Sequence, residues 1–442
     1  MSLIFNIFAT SKDSKKMKTF YKKRIADLLL TRKLQGKGAI LIEGPKWCGK
    51  TTTAKQFSNS LLDLGDSSIL TNAKIAFQVN PSVLLEGETP KLLDEWQSIP
   101  PLWDMVRSEV DRRQALGQFI LTGSSVPPQL NQLQHSGTGR IGRIQMRPMS
   151  LWESGESSGT VSLNKLFDGI DISTQNNILS INDIAYLICR GGWPQSTLLK
   201  GDIALEQAQD YFEDIYQRDI HRIDDVRRST ERTRLLLRSY ARHQGSAISF
   251  NRISEDIKKN DNMSITYETV ADYVEALKKL FVIEDMAAWN PNLRSKAAIQ
   301  TSDTRYFIDP SIAAGALSIG PQDLLNDLNT CGLLFETLAV RDLRVYADAL
   351  SGKVFHFRNA DGLECDAVLH RRNGTYGLIE IKLGGQELIE KGASTLKRLA
   401  GKINTDKMPK PSFMMVLTAV GEYAYRRPSD GIWVVPIGCL KP

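Results

Sequence analysis

The stretch "AILIEGPKWCGKTT", Ala39 to Thr52, leaves a chain few ways to fold. A short apolar run ends at Gly44, and helical spacing resumes in "TTTAKQFSNSLLDLG". This pattern predicts a buried strand over residues 38–43, a tight loop and a helix. Gly44, Gly49, Lys50 and Thr51 have the GxxxxGK[ST] spacing of a phosphate-binding loop. The residue types follow from the physics. Glycines let backbone N–H groups close around phosphate oxygens, and a helix N-terminus adds a favourable partial charge. Gly44, Pro45, Lys46, Trp47, Cys48, Gly49, Lys50, Thr51 and Thr52 are therefore the expected cradle for a nucleotide such as ATP. Lys50 is expected on the β- and γ-phosphates, and the Thr51 hydroxyl on Mg²⁺.

Such a loop needs partners on neighbouring strands. In "PKLLDEWQ", apolar Leu92 and Leu93 lead into Asp94 and Glu95. Asp94 is expected to orient the Mg²⁺ shell and Glu95 to polarise the attacking water. "GQFILTGSS" predicts a further strand, Gln118–Leu121, ending in Thr122, Ser124 and Ser125. Ligands of a parallel sheet sit beyond the carboxyl ends of its strands. Ser124 is the first candidate to sense the γ-phosphate and Thr122 the second. Arg140, Arg143 and Arg147 follow among glycines and small residues. Arg140 or Arg143 could supply an arginine finger, in cis or from a neighbouring subunit, the latter implying a homo-oligomer. The alternative is that they pair with surface carboxylates.

At 442 residues the chain exceeds one ordinary core, so two to four domains are expected. No apolar run approaches the roughly 20 residues that span a bilayer. The N-terminal order, apolar residues before lysines, is the reverse of a signal peptide. A cytoplasmic protein with no membrane partner is the expectation. Five scattered cysteines without a CxxC pair argue against a disulfide framework or structural zinc. The net charge of +6 is uneven: residues 1–37 hold ten Lys/Arg against two Asp. Such an arm either contacts nucleic-acid phosphates or is a solvated tail.

From about residue 180 the spacing is helical, broken by the turn "GGWP" at 191–194. Ser249 reads as an N-cap, with helices over 250–259 and 266–280 and the turn "NDNMS" between them. The alternating "FVIEDMAAW" then reads as a strand. Helix, turn, helix, strand is the order of a winged helix. The second helix carries Glu268, Asp272 and Glu275, a poor face for phosphates, which favours packing or regulation over base reading.

A second chemistry lies in "ECDAVLHRRNGTYGLIEIK". Two strands, Gly362–His370 and Tyr376–Leu383, are expected around an Asn373–Gly374 turn. Side chains two apart share a strand face, so Glu380 and Lys382 point the same way. Asp366 and Glu380 on adjacent strands can ligate one Mg²⁺, with Glu336 of an upstream helix as a third carboxylate. Lys382 can activate water or stabilise charge on a scissile phosphate. Catalytic roles thus fall to Asp366, Glu380 and Lys382. The spacing is that of a PD-(D/E)xK nuclease motif; the alternative is a salt bridge between Glu380 and Lys382.

In this order, "GPKWCGKTT", "LLDEWQ", "FILTGSS", "GRIGRIQMRPMSLWE", "GGWP", "YQRDI", "GLLFET" and "ECDAVL…LIEIK" resemble a prokaryotic family. Its members are ATP-binding proteins with an N-terminal AAA-type ATPase domain and a C-terminal domain of unknown function 4143. The resemblance implies an α/β chain: a P-loop AAA-type three-layer domain, a helical lid and winged helix, then a small α/β PD-(D/E)xK-like domain. Expected bounds are a basic tail over 1–19, the ATPase domain over 20–160 and a lid over 161–240. The winged helix is expected over 241–315 and the nuclease-like domain over 325–442. Cys365 stands where the motif usually has Pro. Two functions remain open: an ATP-dependent enzyme on DNA or RNA, and a nucleotide switch whose nuclease-like end only binds. A third is an ATPase that remodels protein.

Overall fold

A computed structural model describes residues 21–124, 137–172, 175–224, 226–291 and 301–442. The basic tail over 1–19 and Ser125 lie outside the described residues. The chain divides into two compact units. Unit 1 comprises residues up to 147 with 222–226 and 279–281, and unit 2 the remainder.

Unit 1 contains α1 (Ile25–Leu34), β1 (Ala39–Glu43), α2 (Lys50–Phe57), β2 (Ser60–Asp63) and α3 (Ser67–Val79). It continues through β3 (Lys91–Asp94), α4 (Leu102–Arg113), β4 (Phe119–Gly123) and β5 (Ile141–Gln145). The strands form one parallel sheet in the order β2-β3-β4-β1-β5. Strands covered on both faces need no polar alternation, and "AILIE" and "FILTG" have almost none. Leu41, Leu93, Phe119 and Leu121 pack with Trp96, Trp103 and Val106 in the core. The register brings the strand ends level: Glu43 pairs with Gly123, and Asp94 with Thr122. The loop after β1 and the acidic end of β3 thus meet at one edge of the sheet.

Unit 2 opens with α5 (Leu151–Ser154), β6 (Val161–Ser162), α6 (Leu163–Phe167) and β7 (Gln175–Asn176). Helices follow: α7 (Ile181–Arg190), α8 (Asp202–Gln217), α9 (Thr230–Arg242), α10 (Phe250–Asp261) and α11 (Tyr267–Lys279). After them come α12 (Pro310–Leu317), α13 (Pro321–Asn326) and the long α14 (Leu328–Ala349). The last part is β8 (Gly352–Arg358), β9 (Glu364–Arg371), β10 (Tyr376–Lys382), α15 (Gln386–Lys402), β11 (Phe413–Thr418), β12 (Tyr423–Arg426), β13 (Trp433–Pro436) and β14 (Leu440–Lys441). A mixed sheet runs β7-β12-β13-β11-β10-β9-β8. The hairpin β9–β10 is antiparallel, whereas β10–β11 is parallel and crosses over through α15. Ile389, Ala393, Leu396 and Leu399 of α15 pack with Val368, Leu378 and Val416 of the sheet.

The helix pair expected over 250–280 forms. Ser249 caps α10 by accepting from the Arg252 N–H, and Asn262 turns the chain at φ 55°. The strand expected after α11 does not form as such. Among the described residues it makes only isolated bridges, Ile283 to Phe307, Met286 to Thr304 and Ala288 to His356. Alternation over 281–289 marks sidedness, but without a regular partner it yields no ladder.

The first stretch of unit 1 runs to Arg147. Residues 148–160 are tied into unit 2: the Leu151 N–H donates to Asp342 Oδ2 (2.9 Å) and the Ser157 hydroxyl to the Leu440 carbonyl (2.7 Å). Asp342 belongs to a buried cluster in which Arg341 donates to Asp342 (2.8 Å) and Asp309 (2.9 Å). Asp309 also accepts the Gly192 N–H at 3.0 Å, and the Trp193 indole donates to Ser311. A Cβ on Gly192 would lie 2.2 Å from the Met149 carbonyl oxygen, so "GGWP" needs its second glycine for close approach.

Candidate functional site

The loop between β1 and α2 has its geometry set by glycines. Gly44 (φ 151°) and Gly49 (φ 97°) are in backbone regions that L side chains avoid. A Cβ on Gly44 would meet the Met146 carbonyl oxygen at 2.1 Å. Pro45 and Cys48 are buried, and Trp47, at φ 63°, is half exposed. The Cys48 thiol points to the Met146 carbonyl. Lys46 completes the turn, and Thr52 is exposed on the first turn of α2. Lys50 is buried and its ammonium donates to the carbonyls of Gly44 (3.0 Å) and Pro45 (2.7 Å). It therefore sits inside the loop that would wrap a phosphate.

The Thr51 hydroxyl donates to Asp94 Oδ1 at 2.8 Å, and the Thr122 hydroxyl donates to the same oxygen. These oxygens suit Mg²⁺, which takes one or two carboxylates with water and phosphate oxygens. Glu95 follows in the left-handed region, φ 52° and ψ 45°. Its carboxylate accepts from Gln97 and, at 3.3 Å, from the Ser124 hydroxyl. Of the two sensor candidates, Ser124 thus contacts Glu95 and Thr122 contacts Asp94.

The arginines stand elsewhere. β5 runs parallel to β1 with Ile141 opposite Ala39, so Arg140 precedes the sheet edge remote from the loop. Its Nε donates to Asp111 at 2.8 Å. Arg143 pairs with Glu43 at 3.2 Å and stacks 5.3 Å from the Trp103 ring centroid. Each is thus engaged by a carboxylate of its own chain.

A further residue does reach the loop. Arg24, the N-cap of α1, is buried, and its guanidinium donates to the carbonyls of Cys48 (2.8 Å) and Arg147 (2.7 Å). Its backbone N–H is held by Asp27. Beside it, the Tyr21 hydroxyl contacts Thr53 of α2 at 2.8 Å. The sequence signal was Arg24 with Asp27 three residues on, at the start of a helix, inside what reads as a basic arm.

In unit 2 the hairpin brings the second set together. Lys382 Nζ lies 2.8 Å from Asp366 Oδ2 and 2.7 Å from Glu380 Oε2. Asp366 also accepts the Ile381 N–H at 2.7 Å. Cys365, in the place of the motif's Pro, is buried with its thiol toward the Ile379 carbonyl. Burial works against the Lys382 ammonium, but Asp366 and Glu380 outweigh it and hold its pKa above the ordinary value. Burial and then the Asp366 charge push Glu380 up to about 8, and Glu336 likewise to about 8.

Glu336 accepts from the Tyr306 hydroxyl and stands near enough for the Asp366 charge to raise its pKa. Among the described residues no three Asp, Glu, His or Cys side chains converge to hold a metal ion. Two carboxylates remain, and Glu380 Oε1 is buried without a hydrogen-bond partner. A buried carboxyl oxygen without a partner, beside a second carboxylate, fits a divalent cation that would displace the Glu380 proton and keep most of its own water.

Three family models match successive stretches of the chain. Residues 36–154 match the family model "AAA domain", and residues 331–440 the model "Domain of unknown function (DUF4143)". Between them, residues 181–323 match "Domain of unknown function (DUF8612)". Uncharacterized proteins of Mycobacterium bovis and Mycobacterium tuberculosis are each 21% identical over 364 residues, 81% of this chain and 74% of theirs. Among solved structures, the chain is similar to the Walker-type ATPase PABY2304 of Pyrococcus abyssi, at 16% identity and a TM-score of 0.43. That match covers 67% of this chain and 95% of the other. It is also similar to the ORC2 protein of Aeropyrum pernix, at 13% identity and a TM-score of 0.32, covering 63% and 89%. No described helix is long and apolar enough to cross a membrane. The loop geometry at the edge of a five-stranded parallel sheet and the order of the matches give the chain an AAA-type P-loop domain over residues 36–154 and a DUF4143 domain over residues 331–440.

Proposed function

We propose that the protein uses Mg²⁺-dependent ATP binding and hydrolysis in unit 1 to govern a phosphodiester-cleaving site on DNA or RNA in unit 2. In unit 1, Lys50 binds the β- and γ-phosphates, Thr51 and Asp94 hold Mg²⁺, and Glu95 orients the attacking water with Ser124. When bound, Mg²⁺ held by Thr51 and Asp94 would supply positive charge against the negative charge developing on the transferred phosphoryl group. Arg140 or Arg143 would complete the site only from a neighbouring subunit, so the reading includes a homo-oligomer. Lys50→Ala should abolish ATP hydrolysis; undiminished turnover would remove the assignment.

The observation that carries the second half is Lys382 between Asp366 and Glu380, with Glu380 Oε1 left buried and unpaired. These groups can hold a hydrated cation and present an ammonium to a scissile phosphate. A winged helix over 241–315 would contribute packing or regulation, since Asp272 of α11 is engaged by Arg228. Five buried free thiols support a cytoplasmic setting. The test is a nuclease assay on DNA and RNA with Mg²⁺ or Mn²⁺, with and without ATP. Asp366→Ala and Lys382→Ala should each stop cutting, and Lys50→Ala should remove its ATP dependence. If the intact protein cuts neither nucleic acid under any condition, the enzyme reading fails. The second reading, a switch whose nuclease-like end only binds, is favoured by the absence of a third converging carboxylate among the described residues.

A further inference from the structure

Thr418 ends β11 and is fully buried, yet its hydroxyl has no hydrogen-bond partner. Buried hydroxyls are normally satisfied, so an orphan calls for a missing partner. The register sets Thr418 directly beside Lys382, and Val416 beside Glu380, in the parallel pair β10–β11. Paired residues of adjacent strands share a face, as do residues two apart on one strand. That face is the one under α15: a Cβ on Gly392 would lie 3.3 Å from both Glu380 Cβ and Val416 Cγ2. Glu380, Lys382 and Thr418 therefore project to one side of the sheet. Glu380 Oε1 and Thr418 Oγ1, both buried without a hydrogen-bond partner, fall on neighbouring strands.

We propose that Thr418 is a positioning residue of the C-terminal site, its hydroxyl holding a water of a divalent cation bound at Glu380 and Asp366. The inference rests on the cation-binding reading above. A neutral hydroxyl suits the place. It can donate to the carboxylate side or accept from bound water, and adds no charge to a pair already crowded with anions. The β11 strand so acquires a part in a site otherwise built on the hairpin.

The test is Mn²⁺ binding to the nucleotide-free full chain after chelator treatment, read from the electron paramagnetic resonance signal of free Mn²⁺. The variants are Thr418→Val, Thr418→Ser and Glu380→Gln, and melting is followed without metal. Thr418→Val should bind Mn²⁺ about tenfold more weakly, the scale of a lost outer contact. Thr418→Ser should restore wild-type affinity. Without metal, Thr418→Val should melt no lower than wild type, because an isosteric methyl removes an unsatisfied hydroxyl. A purely structural role would lower melting and binding together. If binding is lost in Glu380→Gln but unchanged in Thr418→Val, the proposal is overturned and the cation site stands. If wild type has no Glu380-dependent binding, the cation site falls and takes Thr418 with it.

Discussion

Lys91 is a lysine inside a strand of a nucleotide-binding sheet, buried with its ammonium donating to the Glu86 carbonyl. Burial lowers its pKa to about 8. The unfolded chain keeps that proton until roughly pH 10.4. Between these values the unfolded state binds more protons, so stability rises with pH. The whole rise is at most about 3 kcal/mol. Wild type should gain on Lys91→Met in urea unfolding between pH 7.5 and 9.5; parallel curves would refute it. Nothing in "PKLLDEWQ" signals that Lys91 faces inward, because one lysine at a strand start normally reads as solvent-facing. The neighbouring Asp94 was legible, since an acid ending an apolar run after a phosphate loop has a local chemical reason. Gly44 and Lys50 were legible for the same reason: what the loop needs is written within eight residues. Arg24 was not. Its two carbonyl partners lie 24 and 123 residues away, and only folding brings them together.

At the scale of elements, α1 acts as a clasp. Its N-cap arginine ties the helix start to the phosphate loop and to the chain after β5. Arg24→Ala removes two hydrogen bonds to buried carbonyls and should cost roughly 1–3 kcal/mol. It should also weaken ATP binding, because the loop loses a support. Arg24→Lys, lacking the planar fork, should recover only part of the loss. A thermal melt with a nucleotide titration checks both; ATP affinity equal to wild type in Arg24→Ala would refute the clasp. The hairpin β9–β10 could be read in advance from Asn373–Gly374 and the alternation around it. Thr418 could not, because one Thr closing "FMMVLT" has no pattern, and its meaning comes from the β10–β11 register. The reverse held for 281–289, where alternation was plain but no regular partner strand stands beside it.

At the scale of the whole chain, the motifs divide where the chemistry divides, but the compact units divide elsewhere. Apart from residues 222–226 and 279–281, the expected lid, winged-helix and nuclease-like segments fall in one unit. A physical reason is the charge cluster Asp309–Arg341–Asp342, which joins segments near residues 150, 192, 309 and 341. Sequence reading sees each segment's spacing but not that they share one buried ion network. A fragment ending at residue 330 would bury Asp309 without its arginine, at a cost of about 3–5 kcal/mol. It should therefore lack a cooperative melt in unit 2, while Lys50-dependent ATP binding persists in unit 1. A cooperative unit-2 transition in that fragment would refute this.

Gly192 then has a bearing on inheritance. Its position against the Met149 carbonyl, with its N–H on Asp309, makes four distant stretches answer to one another. A C-terminal domain borrowed from a relative would arrive with its own arginine but meet a foreign aspartate and a foreign glycine turn. Exchange of this domain between lineages should succeed only when the stretches around 150, 192 and 309 travel with it. The portable cassette is then unit 2 rather than its last domain.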